Sequence, residues 1–225
     1  MSPIAKFHSY VVAITVAIMF FSVNQLTKFV ESSDAMAAGV VLAALSSLGV
    51  YKLIASAILL ALAKWNWLFK FTLGPYYLKG TWGGFVHTKT GKPRLIVEKY
   101  EQSLSHIIVF GYSYDLNGKK EANWNTKAVQ VSPGQGELFC FFTVNVPYKE
   151  APVEALGRLQ FDRASGSSAP TKMTGYTIDS DATQKLIYED LHKLDEQLLP
   201  IDQAKEQTFE YFKERIEKSK KDLNG

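Results

Sequence analysis

The sequence predicts a membrane-anchored all-β protein: an N-terminal two-helix transmembrane hairpin, a small antiparallel β-barrel of about eight strands, and a C-terminal amphipathic helical tail. Three observations predict this architecture. Residues 1–70 hold two long apolar stretches, residues 76–179 alternate apolar and polar side chains, and residues 181–223 space their apolar side chains as a helix does. These three regions are the predicted domains.

The composition narrows the class of protein. The 225 residues are 47% apolar and carry a net charge of +3, from 25 Lys and Arg against 22 Asp and Glu. This charge is too small for a protein that coats a nucleic acid polymer by neutralising its phosphates, although it is compatible with a small anionic ligand. The single Cys140 forms neither an intramolecular disulfide nor a thiolate zinc site, which favours a reducing compartment.

Two predicted spans form the hairpin. The first covers about residues 7–27, which contain no Asp, Glu, Lys or Arg and match the ~20 residues needed to cross a bilayer. The second covers about residues 38–63 and contains a single charge, Lys52, which we expect to snorkel to a bilayer surface. A cleavable signal peptide is disfavoured, because the first Ala-x-Ala site after the first span, at residues 35–37, lies beyond three charged residues.

Basic residues near the span ends predict the orientation. Lys6 precedes the first span and Lys64, Lys70 and Lys79 follow the second, whereas the connecting loop contains only Lys28. Because positive charges favour the cytoplasmic side, both termini and the barrel are predicted to lie in the cytoplasm.

A stripe of small residues on the second span predicts a helix-packing face. Ala35, Gly39, Ala43 and Ser47 recur every four residues, which lets a second helix approach closely. The partner is either the first span of the same chain or a second copy, and the sequence leaves both open.

Short strands separated by turn residues fill the middle region. The predicted strands are residues 79–88, 94–100, 108–114, 122–131, 138–146, 158–162 and 172–178. Because no crossover helix separates them, they favour a small closed barrel. Trp82, in a Gly-x-Trp pattern on the first strand, is the predicted plug of one end.

Alternating apolar residues predict which side chains face the barrel interior. One stripe lies on each of three strands: Leu138, Cys140, Phe142, Val144 and Val146; Leu159 and Phe161; and Ile108, Phe110, Tyr112 and Tyr114. The last stripe ends at Asn117-Gly118, a pair typical of a tight hairpin turn.

The tail is predicted to be helical from its start. A capping box at Asp181–Gln184 precedes apolar residues at helical spacing, and Pro200 is expected to kink or split the helix. The apolar positions are Ile187, Leu191, Leu194, Leu198 and Ile201, followed by Phe209, Phe212, Ile216 and Leu223. We expect this face to dock on the barrel of its own chain, with a short self-associating coiled coil as the alternative.

No motif indicates catalysis. The four histidines lack zinc-site spacing, and the chain contains no Gly-x-Ser-x-Gly elbow and no P-loop. His192 beside Asp195 and Glu196 is read as ordinary surface charge. The sequence therefore predicts a protein that is not an enzyme and needs no cofactor or metal.

The barrel strands do combine aromatic and basic side chains, which are suited to a compact nucleotide. Aromatic rings stack on bases, and Arg or Lys binds phosphate. The candidate ligand-binding residues are Arg163, Tyr112, Tyr114, Lys127, Trp82, Tyr176 and Arg94. Arg163 is the first choice, because its position in the alternation matches the inward Leu159 and Phe161.

Two N-terminal spans, a short outer loop and a barrel opening with Tyr77-Leu-Lys-Gly-Thr-Trp-Gly-Gly84 together resemble one family. It is the two-transmembrane β-barrel effectors of bacterial CBASS anti-phage defence, also called SMODS-associated two-transmembrane β-strand-rich effectors. The resemblance implies a barrel that recognises a cyclic dinucleotide, followed by homo-oligomerisation, disruption of the bacterial inner membrane and abortive infection. The helical tail departs from the family pattern. The alternative is a membrane-anchored lipid-binding or scaffolding barrel.

Overall fold

The computed structural model describes residues 2–27, 33–89, 91–147, 150–163, 165–166, 168–180 and 185–224, and only the backbone of residues 26–27, 33–46 and 222–224. The chain divides into two compact units, residues 1–73 and residues 74–225. The first is helical, and the second contains the barrel and the C-terminal helices.

The helical unit contains α1 (Pro3–Thr27), α2 (Ser33–Lys64) and α3 (Asn66–Leu73). The first two are long and apolar enough to cross a bilayer, with candidate spans at Pro3–Gln25 and Ser47–Lys64. They pack side by side, and a 2.5 Å hydrogen bond joins His8 Nδ1 to the Tyr51 hydroxyl. The predicted helix pair is confirmed.

The side chains in the small-residue stripe are mostly outside the described part of the chain. Ala35, Gly39 and Ala43 belong to the backbone-only stretch of α2, and Ser47 is half-buried. Lys52 is exposed on α2, whose 32 residues extend roughly 48 Å at ~1.5 Å per residue. Because a bilayer core is about 30 Å thick, α2 is long enough for Lys52 to lie near a bilayer surface.

Eight antiparallel strands form the barrel. They are β1 (Gly80–Thr88), β2 (Pro93–Gln102), β3 (Ile107–Tyr114), β4 (Lys120–Ser132), β5 (Glu137–Asn145), β6 (Val153–Asp162), β7 (Lys172–Asp179) and β8 (Lys185–Asp195). Each strand pairs with its sequence neighbours, and β1 also pairs with β8, which closes the sheet. A 3₁₀ turn at Gly74–Tyr76 precedes β1. The predicted barrel is confirmed.

The prediction of a helix over the start of the tail is wrong, because β8 occupies Lys185–Asp195. Tyr188 pairs with Val86 and Asp190 with Phe85, so Glu189 is one extra residue in the ladder. This bulge reverses the alternation, so Tyr188 and Leu191 both face the interior although they are three residues apart. The apolar positions predicted to form one helical face therefore do not share a face of β8, since Leu191 is buried in the core and Ile187 is 43% exposed. The predicted capping box, residues 181–184, lies outside the described residues.

Side chains fill most of the barrel interior. Trp82 is fully buried near the end where the chain enters the barrel, and its indole N–H donates to the Leu78 carbonyl at 2.9 Å. The predicted inward stripes on β5 and β6 are confirmed, since Leu138, Cys140 and Leu159 belong to the same core. An eight-stranded barrel is just wide enough for side chains to occupy its centre.

Two helices, α4 (Ile201–Tyr211) and α5 (Lys213–Asn224), follow β8 and cover the outer face of β1 and β2. Pro200 immediately precedes α4, and the helices meet at Phe212. Phe212 and Ile216 pack against Phe85 and Leu95, which point outward from the barrel. The expectation that the apolar face of the tail docks on its own barrel is confirmed.

Replacing Phe212, which is 2% exposed, should loosen this docking. Its ring lies 5.9 Å from that of Phe85, and removing a buried aromatic side chain typically costs about 3–5 kcal/mol. Phe212→Ala is therefore expected to lower the denaturation midpoint of the purified full chain in detergent. The matched control is Tyr211→Ala, because the adjacent Tyr211 is 55% exposed. Equal midpoints for the two variants would contradict the docking.

Candidate ligand-binding site at one end of the barrel

The two ends of the barrel differ. At one end the chain enters at β1 and leaves at β8, and Trp82 fills the interior. At the other, β1, β3, β5 and β7 finish and β2, β4, β6 and β8 begin. We call this second end the cavity end, because an interior cavity of about 60 Å³ lies there.

The cavity is small and partly polar. With about 60 Å³ of room it can hold water molecules or a small chemical group, but not a whole nucleotide. Its walls are mainly apolar, and its polar lining residues are Arg94, Ser113, Glu121, Trp124, Thr177 and Tyr188.

Three of these residues present buried polar atoms without a hydrogen-bond partner, and one of them, Glu121 Oε2, is ion-paired with Arg94. The other two are Ser113 Oγ, on a residue 1% exposed, and Trp124 Nε1, on a residue 6% exposed. Ser113 and Trp124 lie on adjacent strands, and the Trp124 indole rests directly on Gly111, where a Cβ atom would come within 1.9 Å of the ring. Because buried polar groups are normally satisfied, these two atoms offer hydrogen bonds to a polar group that enters the cavity.

An ion pair stands between the cavity and the surface. Arg94 Nε lies 2.6 Å from Glu121 Oε2, and their side chains are 19% and 29% exposed. Both residues also line an outer groove of about 410 Å³. This volume is within the range of small-molecule sites.

The outer groove carries more positive than negative side chains. Lys92, Arg94 and Lys220 are its cations, and Asp115 and Glu121 are its carboxylates. Asp115 Oδ1 already accepts hydrogen bonds from the backbone N–H groups of Asn117 and Lys119, at 2.9 and 2.8 Å. The groove and the cavity, joined by Arg94 and Glu121, form the candidate site.

A buried carboxyl group lies in the barrel core beside the cavity. Glu98 is 2% exposed, and it accepts hydrogen bonds from the hydroxyls of Tyr100 and Tyr188 at 2.8 and 3.3 Å. Burial raises the pKa of Glu98 to about 7, although these hydrogen bonds partly oppose the shift. Trp124 also lowers this pKa, although its Nε1 makes no hydrogen bond of ordinary geometry. Burial, and then Glu98, raise the pKa of the Cys140 thiol.

The structure does not bring the seven predicted ligand-binding residues together. Arg94 lines the cavity and the groove, whereas Trp82 and Arg163 lie towards the opposite end. Arg163 directly follows β6, and its guanidinium donates to the Pro133 carbonyl. Lys127 is exposed and pairs with Glu154 at 2.5 Å.

The predicted inward stripe on β3 is wrong. Tyr112 and Tyr114 face outward and pack with residues of α4, such as Ala204, while Val109 and Ser113 face inward. Tyr176 also lies outside, where the Lys185 ammonium stands 4.5 Å from its ring centre. The prediction for β3 was wrong because α4 covers the outer face of this strand. The outer face therefore carries larger apolar side chains than the inner face.

Sequence patterns missed the polar residues of the interior. Glu98 lies between Val97 and Lys99 in a strand whose outer face is also buried, so β2 shows no clear alternation. Ser113 and Gly111 are too small to mark an inward face, because Trp124 occupies the space beside them. Tyr188 was missed because the sequence predicted a helix for its segment. The position of Glu98 directly after the apolar run Leu95–Val97 was the one available signal.

Comparisons with known proteins show little beyond a barrel. No protein-family model matches the chain, and no curated protein matches it. Two solved structures of redesigned β-barrels bound to DFHBI, mFAP1 and mFAP0, are each 15% identical to it, with TM-scores of 0.37 and 0.36. They match 52% and 51% of this chain and 94% and 97% of their own chains. A third redesigned barrel is 17% identical, with a TM-score of 0.38, and matches 51% of this chain and 90% of its own.

Within the described part of the chain, no three His, Cys, Asp or Glu residues group as metal ligands do. His192, predicted to lie on a solvated helix, is on β8 and pairs with Asp190. Burial lowers the pKa of His192, while Asp190 opposes that shift.

Glu98→Gln should change how stability depends on pH. The pKa of Glu98 rises from 4.5 in the unfolded chain to about 7 in the barrel, so the folded state binds the extra proton between these values. In wild type this contribution should be present below pH 4.5 and be lost as pH rises through 7, costing roughly 3 kcal/mol. Chemical denaturation of both proteins across this range measures it. Parallel pH profiles for the two would contradict the assignment.

Proposed function

We propose that this chain is a non-enzymatic membrane effector gated by a cyclic dinucleotide. In this proposal α1 and α2 span the bacterial inner membrane, with both termini in the cytoplasm, and the barrel binds the messenger at its cavity end. Ligand-bound chains then form homo-oligomers that compromise the membrane and cause abortive infection. The observation that carries the proposal is the cationic groove that leads into the cavity.

The groove has an excess of one positive charge, which suits an anionic ligand such as a cyclic dinucleotide. Two phosphates need cationic partners, and Lys92, Arg94 and Lys220 line one surface of suitable volume. Arg94 would exchange part of its contact with Glu121 for a phosphate oxygen. A charge-assisted hydrogen bond of this kind contributes about 1.5–3 kcal/mol.

The interior packing argues against the lipid-binding alternative. Trp82, Tyr100 and Leu138 are fully buried inside the barrel, and the cavity of about 60 Å³ is confined to one end. An acyl chain needs a continuous apolar channel, as in larger ligand-carrying barrels. Ligand binding from the cavity end is therefore the better-supported function.

The helical unit supports membrane attachment. Trp65, Trp67 and Phe71 are exposed around α3, directly after the second candidate span, and Lys64 and Lys70 lie among them. Aromatic and basic side chains are typical of the interface between a bilayer and water.

Ligand binding must also supply the free energy of association. Shifting the equilibrium from 1:99 to 99:1 in favour of associated chains requires about 5.5 kcal/mol of differential ligand affinity, which several subunits would share.

Calorimetry on the full chain in detergent, with a panel of cyclic dinucleotides, tests recognition. At least one should bind, with an affinity that falls as salt rises. Arg94→Ala should weaken that binding by about 10-fold or more, the effect of losing a charge-assisted hydrogen bond. Arg158→Ala is the matched control, because Arg158 is outward and pairs with Glu137. Arg163→Ala tests the candidate at the opposite end, and a larger loss there than at Arg94 would contradict this location.

Dye release from liposomes tests the effector step. Full chain reconstituted into vesicles of phosphatidylethanolamine and phosphatidylglycerol should release dye when the binding dinucleotide is added, because ligand favours the associated spans. Arg94→Ala vesicles should require a correspondingly higher ligand concentration. Ligand binding without release at any protein density would contradict the membrane-disrupting part of the proposal.

A further inference from the structure

Trp124 brings an unpaired N–H group to the wall of the cavity. Its indole lines the cavity, and its Nε1 atom is buried and makes no hydrogen bond. Tyr188 lines the same cavity and donates its hydroxyl to Glu98 at 3.3 Å. Gly111 leaves room for the Trp124 ring, because any side chain there would overlap it.

The chemistry of the cavity selects the group that enters it. An indole N–H only donates, and Ser113 Oγ, also buried without a partner, both donates and accepts. The group must therefore carry an acceptor. A cavity of about 60 Å³ limits it to a few atoms, such as a carbonyl at the edge of a larger molecule held outside.

The groups around Glu98 couple binding in the cavity to protonation of the Glu98 carboxyl. The groups that face the carboxyl are Tyr100 on β2, Trp124 on β4, Cys140 on β5 and Tyr188 on β8. All are neutral at pH 7, so hydrogen bonds and not a counter-charge stabilise the carboxylate. An acceptor that enters the cavity and takes the Tyr188 hydroxyl removes one of the two hydrogen bonds to Glu98.

We propose that the cavity binds a neutral hydrogen-bond-accepting group, such as a nucleobase carbonyl, and that Glu98 takes up a proton when it does so. The identity of the whole ligand rests on the proposed function, whereas the cavity chemistry does not. Binding should consequently strengthen as pH falls through neutrality, because the protonated carboxyl no longer needs the Tyr188 donor.

The first experiment needs no nucleotide. The full chain in detergent micelles is labelled with ¹⁵N-tryptophan, and the Trp124 indole signal is assigned by its loss in Trp124→Phe. This signal should shift in one step near pH 7 in wild type and stay constant in Glu98→Gln. Formamide, a carbonyl of three heavy atoms, should shift it further and move the step to higher pH.

The second experiment uses matched ligands. Cyclic di-GMP presents a carbonyl where cyclic di-AMP presents an amino group, so cyclic di-GMP should bind about tenfold more tightly, the effect of one hydrogen bond. Trp124→Phe should remove this preference, and Ser113→Ala should reduce it. Glu98→Gln should make the affinity for cyclic di-GMP independent of pH.

The outcomes separate this inference from the proposed function. A Trp124 signal that ignores both pH and formamide overturns the inference, even if dinucleotides bind in the outer groove. If the Trp124 signal responds to formamide and to pH but no dinucleotide binds, the inference is supported and the proposed function is overturned. Equal binding of the two dinucleotides in wild type and in Trp124→Phe overturns the carbonyl preference.

Discussion

The pairing of β1 with β8 is the interaction on which the rest of the barrel unit depends. It converts a meander of eight strands into a closed sheet and gives the protein an interior. It also places Tyr188, at the far end of the sequence of strands, against Glu98 on β2. Without closure the carboxyl would be exposed to water, and the polar network in the core would not exist.

Closure also directs the helices that follow. Thr81 Oγ1 donates to the Gln197 carbonyl and accepts the Leu199 N–H, so the chain leaving β8 is held against the first strand. From there α4 crosses the outer face of β1 and β2, and the Lys205 ammonium donates to the Gly118 carbonyl in the β3–β4 turn. The helices thus cover the outer face of one barrel wall, whose inner face is already buried in the core. The outer groove stays open beside α5.

This wall, buried on both faces, explains which predictions from the sequence were confirmed and which were wrong. The helix pair, seven of the strands and the docking of the tail followed from hydropathy and turn residues. The interior stripes on β5 and β6 followed from alternation, because those strands have one wet and one dry face. Tyr112 and Tyr114 were placed on the wrong face, since a strand beneath a helix has no wet face to define its alternation. β8 was missed because its bulge interrupts the two-residue alternation that marks a strand.

The candidate site was less predictable than the fold. Only Arg94 was among the residues expected to bind ligand, and its position follows from its place at the start of β2. Ser113, Trp124 and Glu98 lie on the consecutive strands β3, β4 and β2, and they come together only in the folded sheet. Their roles depend on which atoms remain without partners after the core has packed, and local patterns do not encode this property.

Closure of the sheet limits the ways in which the barrel can associate with another chain. Every strand has a hydrogen-bonded neighbour on both sides, so the barrel offers no backbone edge for another chain to extend. Assembly by strand exchange or by fibre-like stacking of sheets is therefore closed to this unit. Copies of the chain that associate would have to meet through side chains and helices, and such contacts form and separate without unfolding either barrel.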